Sequence, residues 1–222
     1  MGRITRVGGI ILRLVALLLG YCNFEKHKIS HMRLFFASQN QNKIKEIRSV
    51  IPPGIEIDGI DEFIHEELEE TGDTLEKNAL QKARFVAAKT GLPAFADDTG
   101  LEIDALNGAP GVYSARYAGE EKSASANIEK VLLELSGIHN RNARFRTVIA
   151  FVNGTQECIF EGTVEGTIAN DPAGNGGFGY DPVFMPNGSN KTFAEMDLAE
   201  KNTMSHRARA VAKFVAFLAT KD

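Results

Sequence analysis

RLFFAS (residues 33–38), followed by NQNKIKEIRSVI (residues 40–51), decides the fold of this chain. The first stretch is apolar and has the length of a buried strand. The second places Ile44, Ile47 and Ile51 at helical spacing, and Pro52-Pro53-Gly54 ends it. A strand feeding a helix predicts a layered α/β protein with ligand-binding positions at the strand-to-helix junctions.

Further along, residues 73–90 carry Leu75, Ala79, Ala83, Val86 and Ala87 on one helical face, with Asp73 and Glu76 spaced as in a capping box and Gly91 as the stop. A strand is expected over residues 93–98, a turn at Gly100 and another apolar segment over 101–106. A helix over 123–135, strands over 143–152 and 156–168 joined by an Asn153-Gly154 hairpin, and a last helix over 205–218 complete the pattern. The interleaving predicts an α/β fold with a mixed central sheet and helices on both faces.

The chain has 222 residues, 43% hydrophobic and 24% charged, which suits one domain or two lobes sharing a sheet. Cys22 and Cys158 are too few for a disulfide framework or a thiolate metal site, so a reducing compartment is expected. Residues 1–22, MGRITRVGGIILRLVALLLGYC, have the outline of a signal peptide, but Arg13 interrupts the apolar run and no A-x-A-like site follows. The run is also shorter than the roughly 20 residues of a spanning helix, so no membrane partner is expected. The domain is therefore expected over residues 32–222, beginning at Met32, with residues 1–31 as an extension. Without the extension's five Lys+Arg and one Glu, the body carries 20 basic and 28 acidic residues, a net charge of −8. So acidic a body is a poor nucleic-acid binder, and a polyanionic ligand has to be met by a local basic pocket or a metal.

GNGGFGYDPVF (residues 174–184) places four glycines in six positions before an aromatic, an acid and a proline. Such backbone is built to close on a ligand. Gly174, Gly176 and Gly179 fit G-x-G-x-x-G, yet Asp181-Pro182 follows instead of a helix, which removes the dinucleotide reading. There is no G-x-x-x-x-G-K-[ST], no H-E-x-x-H and no G-x-S-x-G, so a P-loop, a zincin and a serine hydrolase of that type are unsupported. Lys201, His206 and Arg207 lie close to one helix start as three potential donors.

At the first strand-to-helix junction stand Ser38, Gln39, Asn40, Gln41, Asn42 and Lys43. They form either an anion cradle of helix-start N–H groups and a lysine or an ordinary N-cap with a solvated lysine. Asp97 and Asp98 end an apolar strand and should face opposite sides of it. Magnesium held by one or two carboxylates and substrate phosphates would explain them, as would a turn acid capping the backbone near Thr99-Gly100. Between Glu56 and Glu76 lie ten acids, of which Glu69 and Glu70, just before Thr71-Gly72, are the ones a turn could aim at a metal. Lys82 could reach a phosphate or be a surface lysine. Tyr113 and Tyr117 suit packing better than a pocket wall.

In order along the chain, SQNQNK, EETGDTLEKNALQKA, FADDTGLEIDALNGAPGVYSARYAG, PAGNGGFGYDPVF and EKNTMSHRARA together resemble the inosine triphosphate pyrophosphatase family. Residues 1–31 have no counterpart. The resemblance implies a two-lobed mixed α/β fold with the site in the cleft, usually a cytoplasmic homodimer. The implied reaction is magnesium-dependent hydrolysis of ITP, dITP and XTP to monophosphate and pyrophosphate. Carried over by position, Asp98 would be proton acceptor and metal ligand, with Glu69 or Glu70 as second acid. Ser38 to Lys43 and Lys82 would hold phosphates, and Thr99, where the family commonly has Ser, would contact substrate. Phe178, Gly179, Tyr180, Asp181, Lys201, His206 and Arg207 would form the base and sugar pocket, Arg207 suiting a 6-keto oxygen because it can only donate.

Overall fold

The computed structural model describes residues 32–60, 64 and 68–220. The expectations for residues 1–31, and for Asp61, Glu62, Glu66 and Glu67 of the acidic run, lie outside the described residues. In chain order the strands are β1 (Met32–Phe36), β2 (Ile55–Asp58), β3 (Ala94–Ile103), β4 (Pro110–Gly111), β5 (Asn142–Asn153), β6 (Gln156–Ile168) and β7 (Phe184–Pro186). The helices are α1 (Gln41–Val50), α2 (Leu75–Thr90), α3 (Ala124–Glu134), α4 (Leu198–Asn202) and α5 (His206–Leu218). One mixed sheet runs in the order β2-β1-β3-β5-β6-β7, with β4 paired to β3. β1 is parallel to β2 and β3, and the remaining pairs are antiparallel.

Alternation along β3 builds two of the three cores. Ala94 and Ala96 meet Leu75, Ala79, Ala83 and Val86 of α2 on one face. Phe95 turns to the other, stacked on Phe36 at 4.8 Å and packed with Ile44 and Ile47 of α1 and Phe214 of α5. Beyond Thr99 the same strand enters a third core, where Leu101 and Ile103 join Ile128, Val131, Phe145 and Phe184. Asp97, Asp98 and Thr99 thus lie where one strand passes between cores, as in a two-lobed fold.

Two local expectations change. β3 runs unbroken through Gly100, because β4 lies against it there: a Cβ on Gly100 would sit 2.7 Å from the Gly111 carbonyl oxygen. Gly100 is thus a close approach, and no turn occurs. At the start of α2 the cap is Thr74, whose hydroxyl accepts from the Lys77 N–H, and Glu76 instead pairs with Arg146. The Asn153-Gly154 hairpin joins β5 to β6 as expected, and α5 begins after Ser205, which caps Ala208. The stretches β2, β4, β7 and α4 carried too little periodicity to be predicted.

α5 rides directly on β6 at Gly162. A Cβ there would lie 2.1 Å from the His206 carbonyl oxygen and 2.5 Å from the Ala210 nitrogen. Both obstacles are backbone, which cannot rotate away, so the helix itself would have to lift. Gly162→Ala is accordingly expected to lower stability by about 2–3 kcal/mol, read from the urea midpoint; an unchanged midpoint would show that the helix has room to move.

Candidate functional site

β1 ends beside the first residues of β3, and Ala37 donates to the Phe95 carbonyl. The loop into α1 therefore leaves the sheet next to Asp97 and Asp98. Asn40 caps α1 with its own side chain, Oδ1 accepting from the Asn42 and Lys43 N–H groups at 3.0 and 3.2 Å. Two helix-start donors are thus internally satisfied, and Asn40 itself donates to Ser38 Oγ. Ser38 is buried, whereas Gln39, Asn40, Gln41 and Asn42 are exposed along the rim. Lys43 turns inward, its Nζ 3.2 Å from Asp97 Oδ1.

The two adjacent acids do face opposite sides of the sheet. Asp97, 1% exposed, points toward α1 and α5, where Arg207 Nε donates to its Oδ2 at 3.0 Å. Burial alone would raise its carboxyl, but Lys43, Arg207 and Lys82 outweigh that and hold it well below the usual carboxylate range. Asp98 points toward α2, with Lys82 Nζ at 3.4 Å from Oδ1 and the Asn78 amide donating to Oδ2 at 3.2 Å. Burial pushes the Asp98 carboxyl up; Lys82 and Lys43 oppose this, Glu70 and Asp97 reinforce it, and the net shift is upward. Neighbouring carboxylates driven in opposite directions are suited to opposite tasks, one a fixed charge and one a proton carrier.

Lys82 is buried, not a surface lysine. Its ammonium contacts Glu70, Asp98 and the Asp97 carbonyl, the last at 2.8 Å. Burial works against that charge, but Asp98, Glu70 and Asp97 hold the ammonium above its ordinary value. Glu70 is the member of the acidic pair brought to this group, while Glu69 is exposed. Burial would raise the Glu70 carboxyl, but Lys82 and then Lys43 bring it below its ordinary value. Among the described residues no three His, Cys, Asp or Glu side chains converge as a ready-made metal cluster. Two carboxylates meeting at one cation do fit an ion that takes few protein ligands and fills the rest with phosphate oxygens and water.

On the other side of β3 lies Glu46 of α1, a buried acid that the sequence reading left out. It takes Lys201 on Oε1 at 2.7 Å and Arg207 on Oε2. Burial would raise its carboxyl, but Arg207 and then Lys201 hold it down. Lys201 also pairs with Asp181, and Arg207 reaches Thr99 Oγ1 at 3.2 Å. Lys201 and Arg207 are therefore neutralised by carboxylates and not the open donors expected, because a cation out of water requires a partner. Glu46 follows Lys43 by three residues, so the one signal available was a helical i,i+3 acid and base.

Phe178 covers the two cations, with Lys201 Nζ 5.2 Å and the Arg207 guanidinium 5.6 Å from its ring centre. Asp181 accepts from the Phe178 N–H at 2.8 Å, closing the glycine loop over Lys201. Gly177 in that loop has φ +67°, and a Cβ there would collide with Asp181 Oδ2. Tyr180 is not brought to the group; it packs in the third core and its hydroxyl donates to the Ser114 carbonyl. His206 is buried, stacked on Phe145 at 4.5 Å, and no protein group bonds its Nδ1 among the described residues. Burial and then Arg207 and Lys201 push the imidazole well below its ordinary value, so it is neutral at neutral pH. The structure thus brings together two groups on opposite faces of β3, Glu70, Asn78, Lys82 and Asp98 on one, and Lys43, Glu46, Asp97, Thr99, Phe178, Asp181, Lys201 and Arg207 on the other.

A family model described as the Ham1 family matches residues 34–217. A dITP/XTP pyrophosphatase of Porphyromonas gingivalis is 54% identical over 188 residues, 84% of this chain and 97% of that protein. One of Bacillus subtilis is 49% identical over 187 residues, 82% and 94% of the two chains. Among solved structures, the Staphylococcus aureus Ham1 protein superposes with a TM-score of 0.78 at 42% identity, covering 86% of this chain and all of that one. A nucleoside-triphosphatase, dITP/XTP pyrophosphatase, of Mycobacterium abscessus gives 0.68 at 43% identity, covering 82% and 98%.

Glu46→Gln is expected to destabilise the fold by about 1.5–3 kcal/mol, since it removes one of the two carboxylates that answer each of Lys201 and Arg207. The Glu46 carboxyl is lowered on folding from an ordinary value of 4.5, so its contribution is full above that pH and is lost as pH falls through the lower folded value. Urea titrations of both proteins from about pH 7 to pH 3 should therefore show the difference shrinking at acid pH; a gap constant across that range would contradict the pairing.

Proposed function

The chain belongs to the Ham1 family, and we propose that it hydrolyses non-canonical purine nucleoside triphosphates, namely ITP, dITP and XTP, to nucleoside monophosphate and pyrophosphate. The observation that carries this reading is the split acid pair on β3, with Asp98 raised beside Lys82 and Asp97 held charged between Lys43 and Arg207. The activity named for the relatives that cover most of this chain supports it.

In this reading Lys43 and Lys82 exchange their carboxylate partners for phosphate oxygens, each already aimed at the acid pair of β3. Asp98 accepts the proton of the attacking water, its raised affinity bringing it closer to the range of a useful base. Magnesium is part of the proposal, with Glu70 and Asp98 as the residues that would hold it. When bound, the ion supplies charge neutralisation and orientation of the phosphates. Asp97 keeps Arg207 in place as a fixed negative charge and takes no proton.

Selectivity rests on the Glu46, Lys201 and Arg207 group beneath Phe178. A purine ring stacking on Phe178 would set its edge against cations that only donate, which suits a 6-keto oxygen and opposes a 6-amino group. Such unpaired polar groups can discriminate by as much as about 10⁴-fold. A homodimer and a cytoplasmic setting complete the proposal. Among the described residues no helix is long and apolar enough to cross a membrane.

Pyrophosphate release from inosine, xanthosine, adenosine, guanosine, cytidine and uridine triphosphates at equal concentration tests the reading. Preference for the first two is expected, with Asp98→Asn losing about 10²–10⁴-fold in kcat while still binding substrate. Equal turnover of the pyrimidine nucleotides would favour an enzyme for modified pyrimidines, and an Asp98→Asn protein as active as its parent would remove Asp98 from the chemistry. Chelation of divalent ions should abolish turnover and added magnesium restore it, whereas activity that survives chelation would rule the ion out.

A further inference from the structure

Asn78 is fully buried in the first turns of α2, and its amide is used in both directions. Oδ1 accepts from the Gly72 N–H at 2.7 Å, and Nδ2 donates to Asp98 Oδ2 at 3.2 Å. Gly72 lies two residues beyond Glu70, so one side chain joins the loop that carries one acid to the strand that carries the other. Glycine is required at 72 for this approach, since a Cβ there would lie 2.7 Å from Lys77 Cβ and 2.8 Å from Asn78 Oδ1.

One helical turn later, Lys82 makes a parallel connection, from Glu70 to the other oxygen of Asp98. The two connections differ in kind. Lys82 is an ion pair that a phosphate can compete for, whereas Asn78 is tied to a backbone N–H that no ligand replaces. Because that N–H fixes which end of the amide is the acceptor, the donor end is fixed toward Asp98. Neither Leu, with no polar atoms, nor Asp, with no donor when ionised, reproduces this arrangement at the same size.

We propose that Asn78 is a positioning residue that sets the distance and orientation between Glu70 and Asp98, and that it keeps them in place when Lys82 turns to substrate. The proposal rests on the pyrophosphatase reading above for its kinetic consequence, but its geometry does not depend on that reading. A second tie from α2 provides the control. Gln81 Oε1 accepts from the Thr71 N–H at 3.1 Å and holds the same loop without touching Asp98. A residue that merely pinned the loop would behave as Gln81 does.

The test compares Asn78→Leu, Asn78→Asp and Gln81→Ala in the full chain, by kcat and KM for ITP with magnesium and by hydrogen exchange at the Gly72 amide. Asn78→Leu is expected to lower kcat by about 10- to 100-fold with KM within about threefold of its parent, and to release the Gly72 amide to faster exchange. Asn78→Asp keeps the acceptor for Gly72 and loses the donor, so exchange should stay slow while kcat falls; it carries the test if the leucine variant does not fold. Gln81→Ala should keep kcat. Full kcat in Asn78→Asp, or equal kcat losses in Gln81→Ala and Asn78→Leu, would overturn the proposal. If the parent chain itself releases no pyrophosphate, the pyrophosphatase reading fails on its own, and Gly72 exchange unchanged in Asn78→Leu would overturn the positioning role separately.

Discussion

A carboxylate cannot stay charged in the middle of a sheet unless cations are brought to it, and Asp97 is such a carboxylate. It sits on β3 between strands β1 and β5, and Lys43 and Arg207 approach it from two different helices. Arg207 is itself buried, as is Lys201 beside it, and Glu46 with Asp181 answers the two. Each partner brings a further element with it: α1, α4, α5 and the glycine loop are all anchored to one ionic group. Such a group stabilises little by itself, but removing a member leaves its buried partners with fewer opposite charges than they need, which ties the elements to one arrangement.

The alternation of β3 then divides the work between its two faces. The face with Phe95 and Asp97 holds the fixed charges and the ring of Phe178, while the face with Ala96 and Asp98 holds Asn78, Lys82 and Glu70. Small residues on α2, Ala79 and Ala83, let that helix lie close enough to the strand for Lys82 to reach across. Packing and chemistry are therefore set by the same spacing. The close approach at Gly162 does the equivalent for α5, which brings Arg207 under the sheet.

The regular elements were legible because their periodicity is local. Ile44 and Ile47 declared α1, the alternation of β5 and β6 flanking Asn153-Gly154 declared a hairpin, and Ser205 declared the start of α5. Gly100 was misread for a physical reason: a glycine that admits a neighbouring backbone and one that makes a turn are identical in sequence. Thr74 and Asp73 compete for one capping position, and only the hydrogen bond to Lys77 decides between them.

Alone, the sequence determined that Lys43, Lys201 and Arg207 lie beside helix starts and that adjacent acids on a strand must diverge. It placed Asp97 and Asp98 at a strand end, whereas β3 carries them in its interior because β4 and β5 pair with it beyond Thr99. Only the tertiary structure decided who partners whom. Glu46 meets Lys201 across 155 residues, Glu70 and not Glu69 meets Lys82, Tyr180 turns into the core, and Asn78 spans from Gly72 to Asp98. Ion pairs and buried hydrogen bonds act over a few ångströms in space whatever the separation along the chain, so no local pattern records them.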